Sequence, residues 1–119
     1  MDYSTGNFTQ TTKNNTHGWL VGLMAAEDIA KTNKVEIKFW NYEDDPGNYG
    51  TKTFEGESEM IFVISGKLMI RIGEDDDLAE QVVFPNHHII IRGGVKKRIS
   101  LITKSCSGIT VRWPAQPKK

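Results

Sequence analysis

Residues 60–72 read Met-Ile-Phe-Val-Ile-Ser-Gly-Lys-Leu-Met-Ile-Arg-Ile. An unbroken apolar run, Met60 to Ile64, meets the tight-turn pair Ser65-Gly66. After it Leu68, Ile70 and Ile72 alternate with Met69 and Arg71. Five-residue runs of this kind around a glycine turn are two short strands, not a helix, because the apolar spacing is two rather than 3.6. Working outward, the same grammar repeats. Val82–Phe84, Ile89–Ile91, Arg98–Ile102 and Gly108–Trp113 follow downstream, separated by turn formers and by the acidic segment Gly73–Asp77. Upstream, Val35, Ile37 and Phe39 alternate with Glu36 and Lys38, the period of a half-buried strand, and Gly18–Met24 reads as a buried strand. Residues 43–50, Glu-Asp-Asp-Pro-Gly-Asn-Tyr-Gly, read as a turn, and Ala26–Ala30 as one helical turn within a connection. Eight or nine short strands with turn signals every 8–12 residues predict an all-β sandwich or barrel.

The 119 residues suit one domain. Residues 1–16 read as a loose arm with Tyr3 and Phe8 as its main apolar anchors, residues 17–115 as the barrel, and residues 116–119 as a tail. Fifteen Lys and Arg balance fifteen Asp and Glu, so no basic surface marks the chain as a nucleic-acid binder. No apolar run approaches the roughly 20 residues of a membrane helix. A lone cysteine, Cys106, excludes an intrachain disulfide, and residues 1–17 are polar rather than signal-like; a cytoplasmic setting is expected. The Asn-x-Thr triplets at Asn7 and Asn14 read as chance without a secretory signal.

One spacing narrows the fold. Gly47, Thr53, Glu55, Glu59 and Gly66 resemble the first motif of the cupin superfamily, which places Gly, His-x-His, Glu and Gly at these intervals. Asn86-His87, then Ile89-Ile90-Ile91, then Arg92-Gly93-Gly94, resemble the second motif, and Lys97 falls where that motif carries its histidine. Thr110–Pro114 and Gly18-Trp19 are similar to the ends of small cupins. The resemblance spans residues 47–101 and implies a cupin-type double-stranded β-helix, a jelly-roll barrel. It also implies a homodimer, which the arm and the Gly18–Met24 strand would serve.

The resemblance implies a transition metal held by three His and one Glu, but the matching positions here are Thr53, Glu55, Glu59 and Lys97. Threonine is a poor ligand, and an ammonium would stand where the ion's charge belongs. No metal and no cofactor are therefore expected. Lys97 is expected to pair with Glu55 or Glu59 in the barrel mouth, because buried charges need partners.

The set Glu55, Glu59 and Lys97 reads in two ways: as a floor that binds a small polar or anionic molecule, or as charges that satisfy one another. An enzyme of the isomerase, epimerase or lyase kind, with Glu55 or Glu59 as general base, is the alternative, and an interaction domain acting through its surface is a third. Trp19, Phe39, Trp40, Tyr42 and Trp113 read as core and interface or as an aromatic box, with Trp40 as the ligand-binding candidate. His87 and His88 are adjacent, so on a strand they face opposite ways and cannot share one metal. His17 lies upstream of the first strand. Cys106, beside a turn and near Lys104, reads as an inert thiol. Asp75-Asp76-Asp77 lacks the spacing of a calcium loop.

Overall fold

A computed structural model of the chain describes residues 5–7, 9–10, 19–25, 28–43, 48–52 (backbone only), 57–73 and 79–115. Among these residues nine strands form two antiparallel sheets. The first sheet has the order β1 (Trp19–Val21), β2 (Glu36–Glu43), β9 (Ser105–Trp113), β4 (Ser58–Ser65), β7 (His88–Ile91). The second has the order β3 (Asn48–Lys52), β8 (Lys97–Leu101), β5 (Leu68–Ile72), β6 (Ala79–Val83). Most connections between consecutive strands switch sheets, so the chain winds around a shared interior as a jelly roll does.

The β4–β5 switch shows why the sequence turns where it does. Gly66 has a φ of +78°, and a Cβ there would collide with the Ser105 carbonyl. Only glycine fits such a close approach at left-handed φ. At the head of β7, Asn86 carries a φ of +67°, a conformation asparagine tolerates better than most residues.

Although β4 is apolar on both sides in sequence, its burial follows period two: Glu59, Ile61 and Val63 are buried, while Met60 and Phe62 are half-buried. The core joins Ile61 and Val63 to Trp40, Leu68, Ile70, Val83, Ile91, Leu101 and Cys106. Each fully buried aliphatic contributes about 1.5–3 kcal/mol by transfer from water, as an upper bound.

Register sorts the first sheet into rows. Facing the interior are Glu36–Arg112–Glu59–Ile91, then Lys38–Thr110–Ile61–Ile89, then Trp40–Gly108–Val63. Facing outward are Ile37–Val111–Met60–Ile90 and Phe39–Ile109–Phe62–His88. The alternation of β2 is thus inverted relative to expectation. The inward set is Glu36, Lys38, Trp40 and Tyr42, and the apolar set Ile37 and Phe39 lies on the outer face. Charged side chains sit inside because partners meet them there, as described below.

Three boundaries differ from the sequence reading. The turn read over residues 43–50 overlaps β2 at Glu43 and β3 from Asn48. β3 lacks an apolar alternation, since a strand at the sheet edge needs none. The Gly18–Met24 strand shortens to β1, which ends where Gly22 turns at φ +131° against Glu36. The helical turn is a 3-10 turn, Asp28–Ala30. Most of the arm, Asp75–Asp77 and the tail lie outside the described residues.

Candidate functional site

The first inward-facing row of the first sheet carries alternating charge across three strands: Glu36 on β2, Arg112 on β9 and Glu59 on β4. Directly opposed unlike charges are favourable neighbours in a sheet. Lys97, at the start of β8, reaches across from the second sheet, and its Nζ contacts Glu59 Oε1. The Nε of Arg112 donates to Glu59 Oε2 at 3.0 Å, and its Nη1 lies 3.8 Å from Glu36 Oε1. Glu36, Glu57, Glu59 and Lys97 are each at most 4 % exposed and Arg112 is 9 % exposed. Both oxygens of Glu59 are therefore engaged by cations inside the barrel.

Burial pushes the Arg112 guanidinium below its ordinary value, and Glu36 and Glu57 pull it back up. Burial raises the Tyr42 phenol, against an opposing pull from Arg112. The buried cluster thus holds carboxylates and cations in mutual compensation, as desolvated charges require.

Aromatic rings frame the cluster. Trp40 stacks on Tyr42 with centroids 5.1 Å apart, and its Nε1 donates to Thr110 Oγ1 at 3.0 Å. Gly108 makes this possible, because a Cβ there would land on the Trp40 indole and the Phe62 carbonyl. Lys38 and Arg112 lie over the Trp19 ring at 5.6 and 5.7 Å, within cation–π range. A cavity of about 50 Å³ opens between Lys38, Trp40, Tyr42, Glu59, Lys97 and Arg112. Since roughly 10–15 Å³ of such space holds one water, it suits a few waters or a ligand of a few heavy atoms.

Of the residues singled out from the sequence, the structure brings Glu59, Lys97 and Trp40 to one cavity. Thr53 and Glu55 lie outside the described residues. Tyr42, read among the candidate aromatics, lines the cavity as well; Arg112, Glu36 and Lys38 were not singled out from the sequence. The signal was present in phase: polar residues at 36 and 38 and at 110 and 112 share the two-residue period of their strands.

The donor set does not fit a transition metal. An ammonium and a guanidinium cover the carboxylate lone pairs that an ion would need, and neither cation is a ligand. Among the described residues no three His, Cys, Asp or Glu stand together as a metal cage. His87 sits on a turn with Nδ1 3.0 Å from the Pro85 carbonyl, and His88 is exposed on β7. His17 is outside the described residues. Cys106 is the second residue of β9, just after the bend at residues 102–104; it is fully buried, and burial pushes its thiol up to about 11. The aromatics divide: Trp19, Trp40 and Tyr42 face inward, whereas Phe39 and Trp113 are on the outer face.

No protein-family model matches the chain, and no curated protein does. Solved structures match well. BH2720 from Bacillus halodurans superposes with a TM-score of 0.70 at 15 % identity, over 99 % of this chain and 85 % of its own. Fe(II)-HppE with the alternative substrate (S)-1-HPP gives 0.58 at 16 % identity, over 67 % of this chain and 43 % of that one. The Schizosaccharomyces pombe Cnp3 cupin domain gives 0.60 at 10 % identity, over 68 % and 56 %. The chain spans less than half of HppE, and identities this low carry the fold alone. Two antiparallel sheets wound as a jelly roll, with these likenesses, make this a protein of the cupin fold.

Proposed function

We propose that the chain is a metal-free binding module whose barrel holds a small polar or anionic molecule, with Lys97 as the charge partner and Trp40 as the wall. The observation that carries this reading is the double engagement of Glu59 by Lys97 and Arg112 beside a small polar cavity. The pair supplies the positive charge that a metal would bring to a cupin barrel. Thr53 and Glu55, on the segment that leads into β4, complete the proposed binding set. Three cations, Lys38, Lys97 and Arg112, line the cavity, which favours a carboxylate or another compact anion that exchanges for Glu59 or bridges to it. The working unit in this reading is a cytoplasmic homodimer, without nucleic acid or membrane; no described helix is long and apolar enough to cross one.

The same geometry weighs against Glu59 as a general base. A base must lie within reach of the proton it removes with an oxygen open to accept it, whereas both oxygens of this carboxylate are taken up by Lys97 and Arg112.

A thermal-shift screen of small carboxylates, phosphate and monosaccharides tests the proposal. A ligand at 100 times its Kd adds about 2.7 kcal/mol of stability, a shift of roughly 10 °C for a chain of this size. The expected result is a shift with a small acid that disappears in Lys97→Met. No shift with any compound at up to about 10 mM would sink the reading, since sites weaker than that lie beyond ordinary specific affinity.

A further inference from the structure

One hydroxyl in the barrel cavity is only half used. Thr110, on β9, is 6 % exposed and lines the cavity together with Lys97 and Arg112. Trp40 Nε1 meets Thr110 Oγ1 at 3.0 Å. An indole N–H can only donate, so the threonine oxygen accepts this bond and the hydroxyl keeps its own proton to donate elsewhere. Among the described residues no acceptor meets that proton. A buried donor without an acceptor is costly, so the proton calls for an oxygen in the cavity. Packing fixes where it is offered: Trp40 stacks on Tyr42, and Gly108 leaves the indole room across β9. Thr110 and Arg112 stand two residues apart on one face of β9, roughly 7 Å by strand rise. The cavity therefore presents cations at one end and a neutral donor at the other.

We propose that the cavity takes a short hydroxy acid, a compact carboxylate with a second acceptor oxygen, and that Thr110 reads that oxygen. This rests on the binding reading above and deepens it. The carboxylate goes to the cationic end, where Glu59 already shows how one is held, with one oxygen on Lys97 and the other on Arg112. The hydroxyl oxygen accepts from Thr110. A cavity of about 50 Å³ admits only a few heavy atoms, so acid and hydroxyl must share a chain of about two or three carbons. An amino acid of the same size is disfavoured twice. Its ammonium cannot accept a hydrogen bond, and it would enter a cavity lined by Lys38, Lys97 and Arg112.

Isothermal titration of the full chain with glycolate, acetate and glycine tests the proposal, in the wild type and in Thr110→Val, which keeps the side-chain shape and removes the hydroxyl. The wild type is expected to bind glycolate about 3- to 10-fold more tightly than acetate, the worth of one net hydrogen bond, and glycine no more tightly than acetate. In Thr110→Val the glycolate-to-acetate ratio should fall to within about twofold, and in Thr110→Ser, which restores a hydroxyl, it should return. Equal binding of glycolate and acetate by the wild type, or a preference that survives Thr110→Val, overturns the role of Thr110 and leaves the binding module standing. No binding of either acid overturns both. Should Thr110→Val unfold by circular dichroism because Trp40 loses its acceptor, the wild type decides alone, with 3-hydroxypropionate against propionate as a second pair under the same expectation.

Discussion

Replacing Lys97 by methionine keeps an unbranched side chain of similar reach and deletes one charge from the barrel. Lys97 is 4 % exposed and its ammonium sits on Glu59 Oε1. Removing one partner of a buried pair leaves a desolvated charge uncompensated and costs ~3–5 kcal/mol. Arg112 still holds Oε2 at 3.0 Å, so the lower end applies: about 3 kcal/mol, or roughly 10 °C in Tm for a chain of this length. Urea unfolding followed by tryptophan fluorescence reads the loss as a lower midpoint at unchanged slope. Glu59→Gln, which leaves the ammonium without its anion, should cost a similar amount. The double variant should cost less than the sum by about 1–3 kcal/mol, the size expected for residues in direct contact. A Lys97→Met protein within ~0.5 kcal/mol of the parent, the range of ordinary surface changes, would refute the reasoning, as would strict additivity of the pair.

Two more outcomes follow from the interior. The Cys106 thiol is pushed up to about 11 from 9.0 by burial, so the folded chain keeps a proton that the unfolded chain loses. Its contribution to stability is full below about pH 9 and is lost as pH rises towards 11; Tyr42, raised in the same sense, adds to the loss above its ordinary value. Urea midpoints should therefore fall between pH 8 and 10.5, less steeply in Cys106→Ala, and an equal slope in that variant would contradict the assignment. Gly108→Ala places a methyl on the Trp40 ring and the Phe62 carbonyl. It should destabilise by about 1–3 kcal/mol, the usual cost of overpacking, with a changed Trp40 signal in near-UV circular dichroism. A neutral substitution would show that the ring does not lie across β9.

Legibility of the fold and of the site differed for a physical reason. Strand positions were readable because alternation and glycine turns are local: β4, the Gly66 turn and β5 stand where residues 60–72 place them. Asn86, in the segment read as the second motif, takes a left-handed φ of 67°, which asparagine tolerates better than most residues. The face of each strand was harder to read. Ile37 and Phe39 look like core residues, yet they lie on the outer face, and the polar set Glu36, Lys38 and Arg112 lies within. Alternation alone has two solutions, and a shift of one residue exchanges them. Only the non-local row Glu36–Arg112–Glu59, closed by Lys97 from the other sheet, decides between the two. A pairing of Lys97 with Glu55 or Glu59 was legible because motif spacing set all three positions, and Lys97 meets Glu59; Arg112, on the last strand, had no motif to mark it.

The central claim is that Lys97 and Arg112 hold Glu59 where a cupin barrel would hold a metal, and native mass spectrometry tests it most directly. The untagged protein, purified without chelator or metal-affinity resin, is offered one equivalent each of Fe(II), Mn(II), Ni(II) and Zn(II) and sprayed from volatile buffer. The account predicts the mass of the bare chain, alone or doubled, with no stoichiometric metal. A one-to-one metal adduct that survives buffer exchange would contradict it, since the ion would have to displace the ammonium from Glu59.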